Sequence, residues 1–460
     1  MRDIVSPLAG IRSPFGNERF SPYALFSRSE QGAWYDPSDF STMFQDSAGT
    51  TPVTAAGDPV GRILDKSPNG NHASQATTSS RPILARQPLT GVRNLLLNTG
   101  FDGAISGTPG TAPTSWGYFA QNTPTVTFSA DEEYAGGNKV RIETDATERL
   151  QFAQTVSVQA NTTYILSSII DITSPATPNA IWMYVNWSAV PAGATVTYQL
   201  DGAPIAGSSG VPAGRHTIAS ILTVGATAGT ASARFGVAVQ AAGVVYDVIF
   251  RQPQVEIGSA RTAYQLAASA YDVTEAGVQT IWALDFDGAD DSLATASVNF
   301  SGTDQISTWA GVEKTIDQTV SFICELSTSS STLNGTFGLR SAISASPTNG
   351  TYNYNSRGSV LVIASAGQNY PAGNADVLST MFEISPAYIR PRVDGVQLLE
   401  TTTSQGTGNY GNYPLYIGSR AGLSLFYSGR LFSLIIRGTQ STPAQIRQTE
   451  TWINARTGAY

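Results

Sequence analysis

Short strand-like runs between turn residues fill this sequence, and only one stretch keeps its apolar residues at helical spacing. Between residues 95 and 262 nine such runs recur, at 125–129, 139–143, 151–158, 163–172, 181–187, 195–200, 216–224, 231–239 and 244–255. Residues 266–460 repeat the style at 280–287, 305–313, 319–326, 335–339, 351–355, 377–384, 387–393, 414–419 and 429–437. Runs this short are satisfied only by pairing and stacking, so the pattern predicts antiparallel β-sandwiches. Asp394-Gly395, between two such runs, predicts a two-residue hairpin. The one helix is predicted at the end. Thr442 caps it, Pro443 opens it, Gln445 completes a capping box, Ile446, Thr449, Trp452 and Ile453 share a face, and Gly458 stops it. Such a lone amphipathic helix is expected over a sheet edge or end.

Composition narrows the function classes. At 460 residues the chain exceeds one hydrophobic core, so two or three domains are expected. Gly (44) and Pro (24) supply turns, and 41% apolar content excludes disorder as the general state. Charged residues are only 13%, Lys66, Lys139 and Lys314 are the only lysines, and the net charge of −8 is spread without a basic block. No nucleic-acid footprint is present. The single cysteine, Cys324, excludes a disulfide framework and a cysteine-rich metal site. No stretch approaches the ~20 apolar residues of a membrane-spanning helix, and the start lacks the apolar core of a signal peptide, so a protein made in the cytoplasm and not inserted in a membrane is expected. Residues 1–30 read as an extended arm. Pro7, Pro14 and Pro22 break any period, while Ile4, Val5, Leu8, Ile11, Phe15, Phe20, Tyr23, Leu25 and Phe26 are too many for a solvated linker.

Two sets of motifs resemble known families. Trp34-Tyr-Asp-Pro-Ser-Asp39, the run Asp65-Lys-Ser-Pro-Asn-Gly-Asn-His-Ala73 and Arg81-Pro82 resemble the opening of concanavalin A-like (laminin G-like) domains of bacteriophage and prophage virion proteins. The rest of that pattern comes only after position 280, in Leu284-Asp-Phe-Asp-Gly-Ala-Asp-Asp-Ser-Leu293, Val393-Asp-Gly-Val396, Pro414-Leu-Tyr-Ile-Gly418 and Gly429-Arg-Leu-Phe432. Between them, Asn94-Leu-Leu-Leu-Asn-Thr-Gly-Phe-Asp102, Pro113-Thr-Ser-Trp116 and Pro253-Gln-Val-Glu-Ile-Gly-Ser-Ala-Arg-Thr-Ala-Tyr264 resemble a family 4/9-type carbohydrate-binding jelly roll. The resemblance implies an all-β protein of two lectin-like jelly rolls, one inserted in the other: 31–90 with 265–460 as the outer sandwich, 91–264 as the insert, and 1–30 as a virion-docking arm. Sandwich termini lie at the surface and close together, which makes such an insertion inexpensive.

Candidate sites follow from chemistry. Sugars need flat apolar faces beside planar polar groups. Trp116 and Tyr118 sit near a loop with Phe119, Trp182 and Tyr184 share a strand face in the 181–187 run, and Tyr352, Tyr354, Tyr410 and Tyr413 lie in Asn/Gly/Ser-rich sequence with Tyr370 and Tyr427. These eight named first are the glycan-binding candidates. Asp287, Asp290 and Asp291 in the outer sandwich, and Asp102 with Glu256 or Asp247 in the insert, are the candidate ligands of a structural Ca2+, the one cofactor considered. Asp285, Asp287 and Asp290 echo the paired carboxylates of family-16 glucanases, yet each stands as aspartate where that pattern has glutamate, or falls in an ordinary turn. The only histidines, His72 and His216, fall in different predicted domains, which disfavours a nucleophilic triad. No catalytic residue is therefore assigned. The expectation is a non-enzymatic bacteriophage virion protein, tail fibre or other surface component, that binds a host-surface glycan. It would dock on other virion proteins through its arm and form a homo-oligomer, a trimer being the first candidate. The alternatives are a decoration protein without a receptor and a polysaccharide depolymerase.

Overall fold

The computed structural model describes residues 20–145, 147–176, 179–238, 244–317, 320–341 and 350–460. The fold is all-β, with antiparallel sheets and the expected helix at the end. Two compact units form: the first from residues up to 52, 61–82 and 286–460, the second from 53–60 and 83–285. Among the described residues no helix is long and apolar enough to cross a membrane.

The second unit contains a sandwich. Its larger sheet has seven strands in the order Ala203–Ile205, Thr195–Leu200, Gly214–Thr223, Thr163–Ser174, Tyr246–Ile257, Asn138–Thr144 and Thr125–Ala130; its smaller has four, Val185–Ser188, Gly229–Val237, Arg149–Val158 and Gly117–Gln121. Alternation decides which side chains enter. Along Arg149–Val158, Leu150, Phe152, Val156 and Val158 are buried, while Arg149, Thr155 and Ser157 are exposed. Phe152 stacks on Phe235 at 5.1 Å, and Phe235 meets Phe250 of the facing sheet at 5.5 Å. In the same unit Ile83–Pro88 runs parallel to Asp272–Glu275 and antiparallel to Thr280–Asp287. One expected strand is shorter than predicted. Ile181–Met183 is a 3-10 turn, closed by Tyr184 N donating to Ile181 O at 3.0 Å, and the strand is only Val185–Ser188. Ile181, Met183 and Tyr184 are all buried, an arrangement a period-two strand cannot give.

The first unit is layered. Gly32–Tyr35 pairs with Ser428–Arg437, which is followed by Gln305–Lys314, Ala375–Glu383, Tyr388–Val393 and Val396–Gln397. Opposite stand nine strands: Met43–Phe44, Arg62–Ile63, Ala73–Ser74, Leu293–Asn299, Asn412–Ile417, Ser321–Leu326, Thr336–Ser341, Tyr352–Arg357 and Leu361–Ser365. Phe337 of one layer meets Phe382 of the other at 6.0 Å. The predicted hairpin forms, with Asp394 at φ +49° and Gly395 at +74°, the twist that suits paired strands.

The helix, Pro443–Thr457, carries the predicted capping box and a left-handed Gly458. It covers the face of the first layer, not an edge or end: Ile446 and Ile453 pack with Trp34, Trp309, Val377, Met381 and Ile435. Gly311 makes that approach possible, since a Cβ there would lie 2.7 Å from both Ile453 Cγ2 and Thr457 Cγ2. The same cluster corrects the reading of the arm. Pro22–Phe26 is a 3-10 helix with Ser21 as its cap, and Leu25 and Phe26 are core residues, because Pro22 starts the turn and both apolar side chains then fall on one side. Residues 1–19 of the predicted arm lie outside the described residues.

The motif regions of the first unit are stitched together by their own polar groups. Asp65, buried, accepts hydrogen bonds from Trp34 N, Ser67 N and Asn71 N at 2.8–2.9 Å, and Lys66 pairs with Asp36 and Asp39 at 3.0 and 2.8 Å. This turn is a clamp on the Gly32–Tyr35 strand, which explains why its Asp-Lys-Ser-Pro-Asn-Gly-Asn composition carries no free chemistry.

Candidate functional site

Most of the aromatic candidates belong to the cores. Tyr184, Tyr352 and Tyr354 have no exposed surface and Tyr410 almost none. Tyr352 Oη donates to Asp376 at 2.6 Å, and Tyr410 Oη shares a hydrogen with Ser356 Oγ at 2.7 Å. Trp116 is also core: its Nε1 donates to Asn98 O at 2.9 Å and its ring meets Phe235 edge-on at 5.2 Å. These five cannot stack on a sugar as placed, because their rings face neighbouring side chains. Tyr118, Trp182 and Tyr413 are half-buried. Tyr118 turns inward, its ring 5.4 Å from Phe152 and its hydroxyl donating to Pro109 O, and burial holds its pKa above the usual phenol range.

The acidic candidates separate. Asp287, Asp290 and Asp291 come together, their ligand atoms within 4.8 Å of one another. The turn itself uses them: Asp287 Oδ1 accepts from Ala289 N at 2.8 Å, Asp291 Oδ2 from Asp287 N at 3.0 Å, and Asp290 Oδ2 from Ser80 Oγ at 2.8 Å. With one oxygen from each, three carboxylates supply three of the six to eight hard donors that Ca2+ takes. Asp102 and Glu256 are in no group of three or more such residues among those described. Glu256 instead accepts from Thr262 N at 3.1 Å and lies 3.8 Å from Arg93, and Asp247 is gripped by Arg141 at 2.7 and 2.8 Å. Leu284 and Phe286 face inward with Asp285 and Asp287 on the opposite side, as predicted, but Asp285 is outside the acidic trio. His72 Nδ1 accepts from Asp65 N at 3.0 Å, and His216 Nδ1 lies 2.8 Å from Asp201 Oδ2. Cys324 is buried, which pushes its thiol up to about 12.

A surface the sequence reading did not assemble is the outward face of the four-stranded sheet. Register places Phe119 opposite Gln151, Arg234 opposite Ala153, and Asn186 opposite Arg234. Phe119 is 47% exposed, and the Arg234 guanidinium lies over its ring at 4.8 Å. Gly117 puts no side chain against the ring edge; a Cβ there would touch Phe119 Cε2 at 3.7 Å. Arg234 Nε donates to Ser232 Oγ at 3.3 Å, and Asn186 Oδ1 accepts from Tyr198 Oη at 2.7 Å. The Asn186 Nδ2 and the whole Gln151 amide have no hydrogen-bond partner among the described residues. An exposed ring under a guanidinium, with the Gln151 amide paired opposite it and the Asn186 amide beyond Arg234 on the far edge strand, combines the apolar face and planar polar groups that a saccharide ring and its hydroxyls require. Along this strand Gln151, Thr155 and Ser157 alternate with core residues, a local signal, whereas which sheet face stays uncovered is not local.

These features define an all-β, sandwich-built protein with a polar-aromatic sheet face. No protein-family model matches the chain, and no curated protein matches its sequence. Among solved structures, the heptameric SAP-like pentraxin from Limulus polyphemus is 14% identical, covers 35% of this chain and 78% of its own, and has a TM-score of 0.29. Domain 4 of an extracellular arabinanase from Geobacillus stearothermophilus, with arabinotriose, is 15% identical over 36% of this chain and 74% of its own, with a TM-score of 0.29. The CBM40 domain of a Ruminococcus gnavus IT-sialidase, with α2,3-sialyllactose, is 9% identical over 38% of this chain and 95% of its own, with a TM-score of 0.28.

Proposed function

We propose that this chain is a non-enzymatic carbohydrate-binding protein of a bacteriophage particle, a tail fibre or other surface-exposed component, that recognises a host-surface glycan. The observation that carries the binding function is the exposed Phe119 ring with Arg234, Gln151 and Asn186 on one open sheet face. The virion setting rests on the motif resemblance of 34–39, 65–73 and 284–293. In that setting the protein is assembled in the host bacterial cytoplasm, docks on other virion proteins through residues 1–19 and works as a homo-oligomer. The weakly charged, lysine-poor surface suits a stable exposed particle component.

A glycan array probed with the full chain and with Phe119→Ala tests the reading. Binding to at least one bacterial surface glycan is expected, reduced tenfold or more by the substitution, with the melting temperature unchanged because the ring is exposed. No glycan signal for the parent, or equal signals for both, overturns it. The absence of enzymatic activity is checked on the same glycans by release of reducing ends. None is expected, and a release abolished in Asp285→Asn/Asp287→Asn would replace binding by cleavage.

A further inference from the structure

The outward side of the nine-stranded sheet holds a charge imbalance that the Phe119 face does not explain. Register sets Phe322 opposite Arg340 and Arg340 opposite Asn353, with Glu325, Gly338 and Asn355 in the next row. The Phe322 ring lies across Gly338, where a Cβ would sit 2.8 Å from Cε1. Two guanidinium groups stack on that single buried ring, Arg420 at 4.7 Å and Arg340 at 5.5 Å from its centroid. One acid serves both. Glu325, fully buried, takes Arg420 in a bidentate pair at 3.0 and 3.1 Å and also accepts from Ser330 N at 2.6 Å.

Arg340 is therefore left over. No carboxylate pairs with it among the described residues, and its buried Nε has no acceptor. Asn355 Oδ1, two rungs away on the same face, is buried without a donor, its Nδ2 spent on Ser330 Oγ at 3.3 Å. Desolvation first, and then the neighbouring Arg420 charge, hold the Arg340 pKa below the usual guanidinium value, with the shared Glu325 charge opposing them only in part. A half-buried cation beside a like charge is costly without a counter-charge, and the Phe322 quadrupole offsets only part of that cost. The protein keeps this cation in a chain whose net charge is −8.

We propose that Arg340, with Arg420 beside it, binds an oxyanion carried by a saccharide, a carboxylate or sulfate group. The guanidinium fork matches either group in a planar, two-point contact, and Phe322 fixes the plane in which it is offered. That the anion is carried by a sugar rests on the glycan-binding function proposed above; that Arg340 takes an oxyanion does not.

Calorimetric titration of the full chain with a carboxylated, a sulfated and a neutral oligosaccharide of equal length, and with sodium sulfate alone, tests this. Arg340→Gln is expected to weaken the acidic saccharide tenfold or more and leave the neutral one unchanged, whereas Phe119→Ala weakens the neutral one. Whichever of the two acidic oligosaccharides binds identifies the group. Sulfate is expected to raise the melting temperature of the parent but not of Arg340→Gln, and Arg340→Gln without ligand is expected to melt no lower than the parent, which guards against misfolding. Arg340→Lys, which keeps the charge and loses the fork, should fall between. Equal binding of the acidic saccharides by parent and Arg340→Gln, with no sulfate effect, overturns the site while neutral binding keeps the earlier reading intact. A sulfate effect without any saccharide binding keeps the oxyanion site and overturns its saccharide ligand.

Discussion

Asp376 lies at the centre of a buried polar group in the first unit. It accepts from Tyr352 Oη, and Lys314, itself fully buried, pairs with Asp317 at 2.9 Å, donates to Gly350 O and stands 4.6 Å over the Tyr352 ring. Burial raises the Asp376 carboxyl to about 7; the Asp394 charge adds to this, and the Tyr352 hydrogen bond and Lys314 charge oppose it. The folded state thus holds a proton between pH ~4 and ~7 that the unfolded chain has released, so stability falls as pH rises through that window and levels off above it. At about 1.4 kcal/mol per pKa unit the loss is on the order of 4 kcal/mol from this group. Asp376→Asn should flatten the melting-temperature profile between pH 4 and 7; an unchanged slope would assign the dependence elsewhere. The residue scale also explains the tyrosines. Asn/Gly/Ser-rich surroundings suggested a contact surface, but on the predicted strand Tyr352 and Tyr354 hold the alternate positions that face the core.

At the scale of elements the C-terminal helix was the most legible, because its cap, its proline and its stop are local signals within one segment. Thr442→Ala removes the acceptor for Gln445 N and should cost about 1 kcal/mol, read as a shift in denaturation midpoint. Where the helix packs was not legible. It sits on the sheet face because Gly311 leaves a hole for Ile453 and Thr457, and no helix-end signal encodes a glycine 130 or more positions upstream. Gly311→Ala should therefore cost more than the cap does, roughly 1–3 kcal/mol from overpacking. Pairing it with Ile453→Val, which makes room for the new methyl, should recover part of the loss. An additive result would separate Gly311 from the helix. The 181–187 run shows the converse: its aromatic residues have strand propensity, yet Ile181, Met183 and Tyr184 are all needed in the core and a tight turn is what delivers them.

For the whole molecule, the arm separates into two parts with different expected outcomes. Deleting residues 1–19 should leave a folded protein that no longer incorporates into particles. Deleting 1–28 also removes Leu25 and Phe26 from the Trp34/Trp309 cluster and should lower the melting temperature sharply, since loss of each such buried side chain costs roughly 2–5 kcal/mol. Normal incorporation of the shorter deletion would remove the docking role. The sequence alone determined the all-β class, the capped C-terminal helix and the Asp394-Gly395 hairpin, because these depend on turn chemistry and period over a few residues. It did not determine which faces stay uncovered. The Phe119 face is assembled from separate strands and the Arg340–Arg420 pair from two strands and the loop at 420, and only strand register and loop placement decide that these side chains meet. Register and covering are long-range choices, made by the sum of burial over a whole sheet, and no short window of sequence contains them.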